Sequence, residues 1–100
     1  MIYVTQLIFL IPGQEKTFDE FEAVAIPIIA KYHGRLLFRV RPDASAFIQH
    51  LGDKPYEIHL VEFDNEQDLE NFKKDPERKN FVHLKEMSVK DSVMILGNKL

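Results

Sequence analysis

Residues Gly34–Pro42 read GRLLFRVRP. Large apolar residues alternate with arginines at a period of two, the spacing that sends successive side chains of a β-strand to opposite faces. An unbroken alternation puts Leu36, Phe38 and Val40 on one face and Arg35, Leu37, Arg39 and Arg41 on the other. Such an arginine row faces water, a nucleic acid or an enclosed cavity, and the rest of the chain decides among them.

Upstream of this strand, Phe18, Phe21, Ala25, Ile28 and Tyr32 recur at steps of three and four. That period marks the inner face of a helix running to about His33 and stopped by Gly34. Thr17 with Glu20 offers a capping box at its start. Pro27 removes the hydrogen bond to the Ala23 carbonyl, so a bend is expected there. Earlier still, Ile2–Leu10 is rich in β-branched and large apolar residues and ends at Pro12-Gly13, as a strand does. Downstream, a loop from Pro42 to Pro55 leads to YEIHLVEF, Tyr56–Phe63, a strand apolar on both faces. Asp64 with Gln67 suits the start of a helix that turns Leu69 and Phe72 inward. Asp75-Pro76 begins another helix, with proline at its first position and Phe81 and Leu84 inside. SVMIL, Ser92–Leu96, is a short strand stopped by Gly97. The order βαββαβ predicts one α+β domain over residues 1–100: a ferredoxin-like four-stranded antiparallel sheet with helices on one face.

One domain is also what 100 residues with 45% hydrophobic and 29% charged composition allow. A net charge of −3 argues against a general polyanion binder. The third strand carries Glu57 and Glu62 where an RNA-binding sheet of the same element order carries basic and aromatic residues, so nucleic acid is not expected as a partner. No cysteine is present, which suits a reducing compartment. The apolar start lacks a basic leader and is too short to span a bilayer, so the expected address is cytoplasmic, without membrane contact.

Both faces of the sheet are apolar. In the first strand Tyr3, Thr5, Leu7 and Phe9 alternate with Val4, Gln6, Ile8 and Leu10. Helices are available for one face only, and the economical cover for the other is the same face of a second copy, giving a homodimer.

KYHGRLLFRV, residues 31–40, resembles the Tyr-Gly-Gly-Arg strand opening, with a second Arg four residues on, of a small uncharacterised family. That family belongs to the dimeric α+β-barrel superfamily and is distantly related to antibiotic-biosynthesis-type monooxygenases. IPIIAKYHG, VEF and DPERKNFVHLK are similar to its helix, strand-three and final-helix motifs, in the same order, so the likeness spans nearly the whole chain. The resemblance implies two chains packed sheet to sheet, with a cavity between each sheet and its cover. It implies no single activity, because the superfamily includes cofactor-free quinone-forming monooxygenases, muconolactone isomerases, haem-degrading enzymes and proteins of unknown role. Tyr32, Gly34, Arg35, Arg39, Glu62, Phe63, Pro76 and Glu77 match the family pattern. His33 replaces the first glycine, Arg78 stands where an aromatic is usual, Lys85 replaces an arginine, and Leu51 and Leu96 occupy places where an acid commonly precedes glycine.

For chemistry, His33, His50, His59 and His83 show no H-E-x-x-H or other close pairing, so no metal is expected. The four glycines are isolated and form no phosphate loop. No G-x-S-x-G elbow is present, and no cofactor is expected. His59 lies mid-strand among apolar residues and titrates near neutral pH if buried beside a carboxylate. Arg39 shares a face with Leu37, a partly enclosed setting in which a guanidinium needs a carboxylate or a ligand anion, and Glu62 on the neighbouring strand is the expected partner. These residues define the expected site: His59 or Glu62 moves a proton, Arg39 orients an oxyanion, and Arg39, Arg35 and Tyr32 bind an aromatic or enolic compound. The alternative is a non-catalytic ligand-binding or assembly module in which Arg39 and Glu62 form a structural pair.

Overall fold

The computed structural model describes residues 1–100. Its elements are β1 (Ile2–Leu10), α1 (Glu15–Ile28), β2 (Gly34–Val40), β3 (Glu57–Phe63), α2 (Glu66–Lys73), α3 (Pro76–Asn80), α4 (Val82–Ser88) and β4 (Val89–Asn98). The four strands form one antiparallel sheet in the order β2-β3-β1-β4. This is the α+β, ferredoxin-like arrangement that the element order predicts. The molecule measures 36 × 35 × 16 Å. A sheet plus a single layer of helices accounts for the short dimension, so the second sheet face has no cover within the chain.

The inward residues of β1 and β3 meet the helices at a core of Ile2, Val4, Ile29, Val61, Phe63 and Leu69. Phe18, Phe21, Ala25 and Ile28 of α1 are buried as their period predicts. The expected continuous helix to His33 is replaced by an α-helix that ends at Ile28 and tightens into a 3₁₀ turn over Ile29–Tyr32. Pro27 lies in the last α-turn, where its missing N–H leaves the Ala23 carbonyl without its helical donor. His33 then takes a left-handed conformation, φ 61°, and aims the chain into β2.

Two caps differ from expectation. The α2 cap is Asn65, whose side chain accepts from the Asp68 N–H, because Asp64 instead meets Arg35. α1 begins at Glu15 rather than at a Thr17 box, with the Thr17 hydroxyl donating to Gln14 Oε1. Asp75 caps α3 ahead of Pro76 as read from the sequence. β4 runs from Val89 to Asn98 and passes through Gly97, because pairing with the full length of β1 supplies its hydrogen bonds. The loop after β2 contains a single 3₁₀ turn, Ala44–Ala46. No helix is long and apolar enough to cross a membrane.

Candidate functional site

The arginine strand is not unbroken. β2 pairs Arg35 with Glu62 and Leu36 with Val61, and then Phe38 with Leu60 and Arg39 with His59. Leu37 is therefore an extra residue in β2, a bulge that inverts the alternation after it. Arg35 keeps its place on the helix-free face, whereas Arg39 and Arg41 are sent to the face beneath the helices.

This single insertion corrects the expected pairing. Arg39 meets Glu57 rather than Glu62, its Nη2 donating to Oε1 at 3.2 Å and its Nε to Oε2 at 3.3 Å. Arg41 adds a third bond to Glu57, from Nε at 2.8 Å, and also reaches Asp19. Glu62 accepts from Arg35 Nε at 2.6 Å on the opposite face of the sheet, and Arg35 Nη2 donates to Asp64 at 2.9 Å. Tyr32 fastens the 3₁₀ turn to α3: its hydroxyl donates to Asp75 Oδ2 at 2.5 Å, and Lys31 joins the same oxygen. The Tyr32 hydroxyl, the Arg78 N–H and Lys31 together hold the Asp75 carboxyl well below its ordinary value.

A cavity lies on the other side of the sheet from the expected one. It sits between the sheet and its own helices, has a volume of about 250 Å³, and is walled by apolar residues such as Val4, Ile8, Phe18, Phe21, Ala25 and Val61. His59 is the one member of the expected site that lines it. Glu22 of α1 lines it too, and His59 Nε2 lies 3.1 Å from Glu22 Oε1 while hydrogen-bonding Glu57 Oε2. All three side chains are buried. Glu22 and Glu57 were legible as candidates: Glu22 falls on the inner stripe of Phe18, Phe21 and Ala25, and Glu57 shares the face of His59 at a spacing of two.

The cluster balances its charges unevenly. Burial pushes the Glu57 carboxyl up, but hydrogen bonds from His59, Glu22, Arg41 and Arg39 outweigh it and hold the group well below its ordinary 4.5. Burial pushes the imidazole of His59 down, yet the hydrogen bonds and charges of Glu22 and Glu57 outweigh that and raise it from 6.5 to about 9. Glu22 has no guanidinium beside it; burial raises its carboxyl above 4.5, His59 opposes the rise and Glu57 adds to it. The imidazole is thus held toward its charged form, between one carboxyl held toward ionisation and one that burial shifts the other way.

The three residues also bring ligand atoms within 4.8 Å of one another, although no metal spacing is visible along the chain. Two guanidiniums already bonded to Glu57 repel a divalent cation at that position.

Stability should follow these titrations. His59 has a raised folded-state value, so its contribution is complete below pH 6.5 and is lost as pH rises through about 9. The loss is on the order of 3 kcal/mol. Glu22, also raised, has the same sign, with its loss starting above 4.5. Glu57 has a lowered value; its contribution is present above 4.5 and disappears on acidification. Urea unfolding across the pH range should therefore show greatest stability between pH 4.5 and 6.5 and a decline up to pH 9. Stability that stays level from pH 6.5 to 9 would show that His59 is uncharged in the folded chain.

No family model matches the sequence, and no curated protein does. Solved structures do match in fold. A protein of unknown function from Rhodopseudomonas palustris superposes with a TM-score of 0.83 at 15% identity, over 99% of this chain and 82% of that one. An uncharacterised NIPSNAP domain protein from Burkholderia xenovorans gives 0.73 at 12% identity, over 100% and 95%. A dimeric protein of unknown function with a ferredoxin-like fold, from Bacteroides fragilis, gives 0.71 at 13% identity, over 98% and 95%. The superpositions show a shared fold, described as ferredoxin-like for the Bacteroides fragilis protein, and at identities this low they show the fold alone.

Proposed function

We propose that this chain is a homodimeric domain that binds a small apolar molecule beneath its helices and moves a proton there without a cofactor. The observation that carries the reading is the placement of His59 and Glu22, a charged donor and a weakly held proton acceptor, in the wall of an otherwise apolar cavity. The volume is just below the range of about 300–1,000 Å³ usual for ligand pockets, which favours a compact ligand. In an enolisable compound, the Glu22 carboxylate takes the proton from carbon and the positive charge of the adjacent His59 imidazolium stabilises the enolate that forms. Aromatic or enolic substrates of this kind accord with the resemblance to antibiotic-biosynthesis-type monooxygenases. A cytoplasmic setting completes the reading, supported by a cysteine-free composition.

The test is deuterium incorporation from solvent into a panel of cyclic and acyclic β-diketones. The wild type should exceed the buffer rate, and Glu22→Gln should lose about 10²–10⁴-fold of that excess. Equal rates in both proteins would overturn the assignment of Glu22.

A second reading, a non-catalytic ligand-binding or assembly module, is favoured by Glu57 alone. With Arg39, Arg41 and His59 all bonded to it, that carboxylate is occupied structurally.

Dimerisation rests on the helix-free face, where Tyr3, Leu7, Phe9, Phe38, Leu60 and Ile95 stand together in the observed register. Phe38 and Ile95 are each about half exposed, an apolar surface that a monomer rarely leaves open. The dimeric state of the Bacteroides fragilis protein supports the same arrangement here. Light scattering at micromolar concentration should return twice the chain mass of 11.7 kDa. Leu60→Lys, which places a charge mid-face, should bring it back to one chain; a monomeric wild type would defeat the proposal.

A further inference from the structure

The cavity has a cationic end that the proton-transfer reading leaves unused. Lys73 at the close of α2, Arg78 on α3 and Lys85 on α4 all line it. The Arg78 guanidinium lies over the rings of Phe72 and Phe21, at 5.1 and 5.7 Å from their centres. Its Nη1 donates to the Lys73 carbonyl at 3.4 Å, while its Nε is buried without a partner. Neither Arg78 nor Lys85 has a carboxylate within 4.0 Å, so neither takes part in an ion pair. Burial pushes the Lys85 ammonium down, and the neighbouring Arg78 pushes it further. Burial likewise lowers Arg78.

Lys73 is paired with Glu70 at 3.4 Å, so a chain of net charge −3 keeps two cations without an ion pair, Arg78 and Lys85, on one cavity whose only lining carboxylate is Glu22. Glu22 is already engaged by His59. Glu22 and Asp75 act on Arg78, and Glu22 and Glu86 on Lys85, only from beyond ion-pair distance; partly desolvated cations so placed are costly to hold, and aromatic faces compensate a guanidinium only in part. A ligand anion supplies what the protein omits: two charge-assisted hydrogen bonds at the cationic end and an apolar wall for the remainder of the molecule.

We propose that the cavity selects small apolar acids, with a carboxylate seated against Arg78 and Lys85 and the hydrocarbon or aromatic body lying toward His59. This names the ligand class for the site proposed above and rests on that reading of the cavity.

The test compares 3-phenylpropanoate with its uncharged amide by isothermal titration calorimetry, on wild type, Arg78→Met and Lys85→Met. The acid should bind wild type about tenfold or more tightly than the amide. Each variant should lose about tenfold or more in affinity for the acid and leave the amide unchanged. Lys85→Met keeps the test decisive if Arg78→Met fails to fold. Equal binding of acid and amide would overturn the acid preference while sustaining a small-molecule cavity. Acid binding that ignores both variants would place the carboxylate elsewhere and also overturn it. Absence of binding by either probe would count against the cavity reading itself.

Discussion

Glu57→Gln should lower the stability of the domain by roughly 3–5 kcal/mol, the cost of removing one partner from a buried ionic cluster. Glu57 is 1% exposed and is the one carboxylate shared by Arg39, Arg41 and His59. An amide in its place leaves Arg39 without a carboxylate, Arg41 with the exposed Asp19 alone and the buried His59 with Glu22 alone. Removing a single arginine is far milder. Arg39 is a third exposed and Arg41 remains bonded to Glu57, so Arg39→Met should cost about 1 kcal/mol or less. Urea unfolding of the two variants checks both values, and a Glu57→Gln loss no larger than that of Arg39→Met would show that the cluster is not cooperative.

Gly34→Ala should be comparably damaging for a different reason. A Cβ built at Gly34 lies 2.6 Å from Ile29 Cγ2, 2.7 Å from Phe63 Cε1 and 2.9 Å from the Ile29 carbonyl oxygen. The first two are core side chains and the third is backbone, so no flexible side chain is present to give way. Overpacking usually costs about 1–3 kcal/mol, and three simultaneous clashes put this site at the upper end. Gly97→Ala, where an added Cβ meets nothing within 4 Å, is the matched control and should change stability little. Equal thermal denaturation midpoints for the two variants would contradict the close approach of β2 to the 3₁₀ turn.

Much of this was legible in the sequence, and the limits have identifiable causes. The 3.6-residue stripe of Phe18, Phe21 and Ala25, the proline after Asp75 and the apolar alternation of β1 lead directly to the observed element order. His59 was readable as a mid-strand histidine among apolar residues, but the two carboxylates that raise it to about 9 rather than near neutral were not. The error in pairing came from one residue. Period-two reading assumes an unbroken ladder, and nothing in LLF announces that Leu37 is the extra residue. A one-residue slip exchanges the faces of everything beyond it, which carried Arg39 from Glu62 to Glu57. The cavity beneath the helices went unread for a related cause. The bare sheet face was evident from composition, but the gap beneath the helices depends on how α1, α3 and α4 pack, which the spacing of residues along the chain does not encode. Arg78 and Lys85 look like ordinary surface cations in PERKNFVHLK until the fold turns them inward.

A charged histidine in the cavity wall is what joins the fold to proton transfer, and an NMR titration of the His59 imidazole reads that charge directly. A midpoint near pH 9 is expected, with the ring protonated throughout the neutral range. A midpoint at or below 6.5 would mean an uncharged ring between Glu22 and Glu57 and would contradict the roles assigned to both His59 and Glu22.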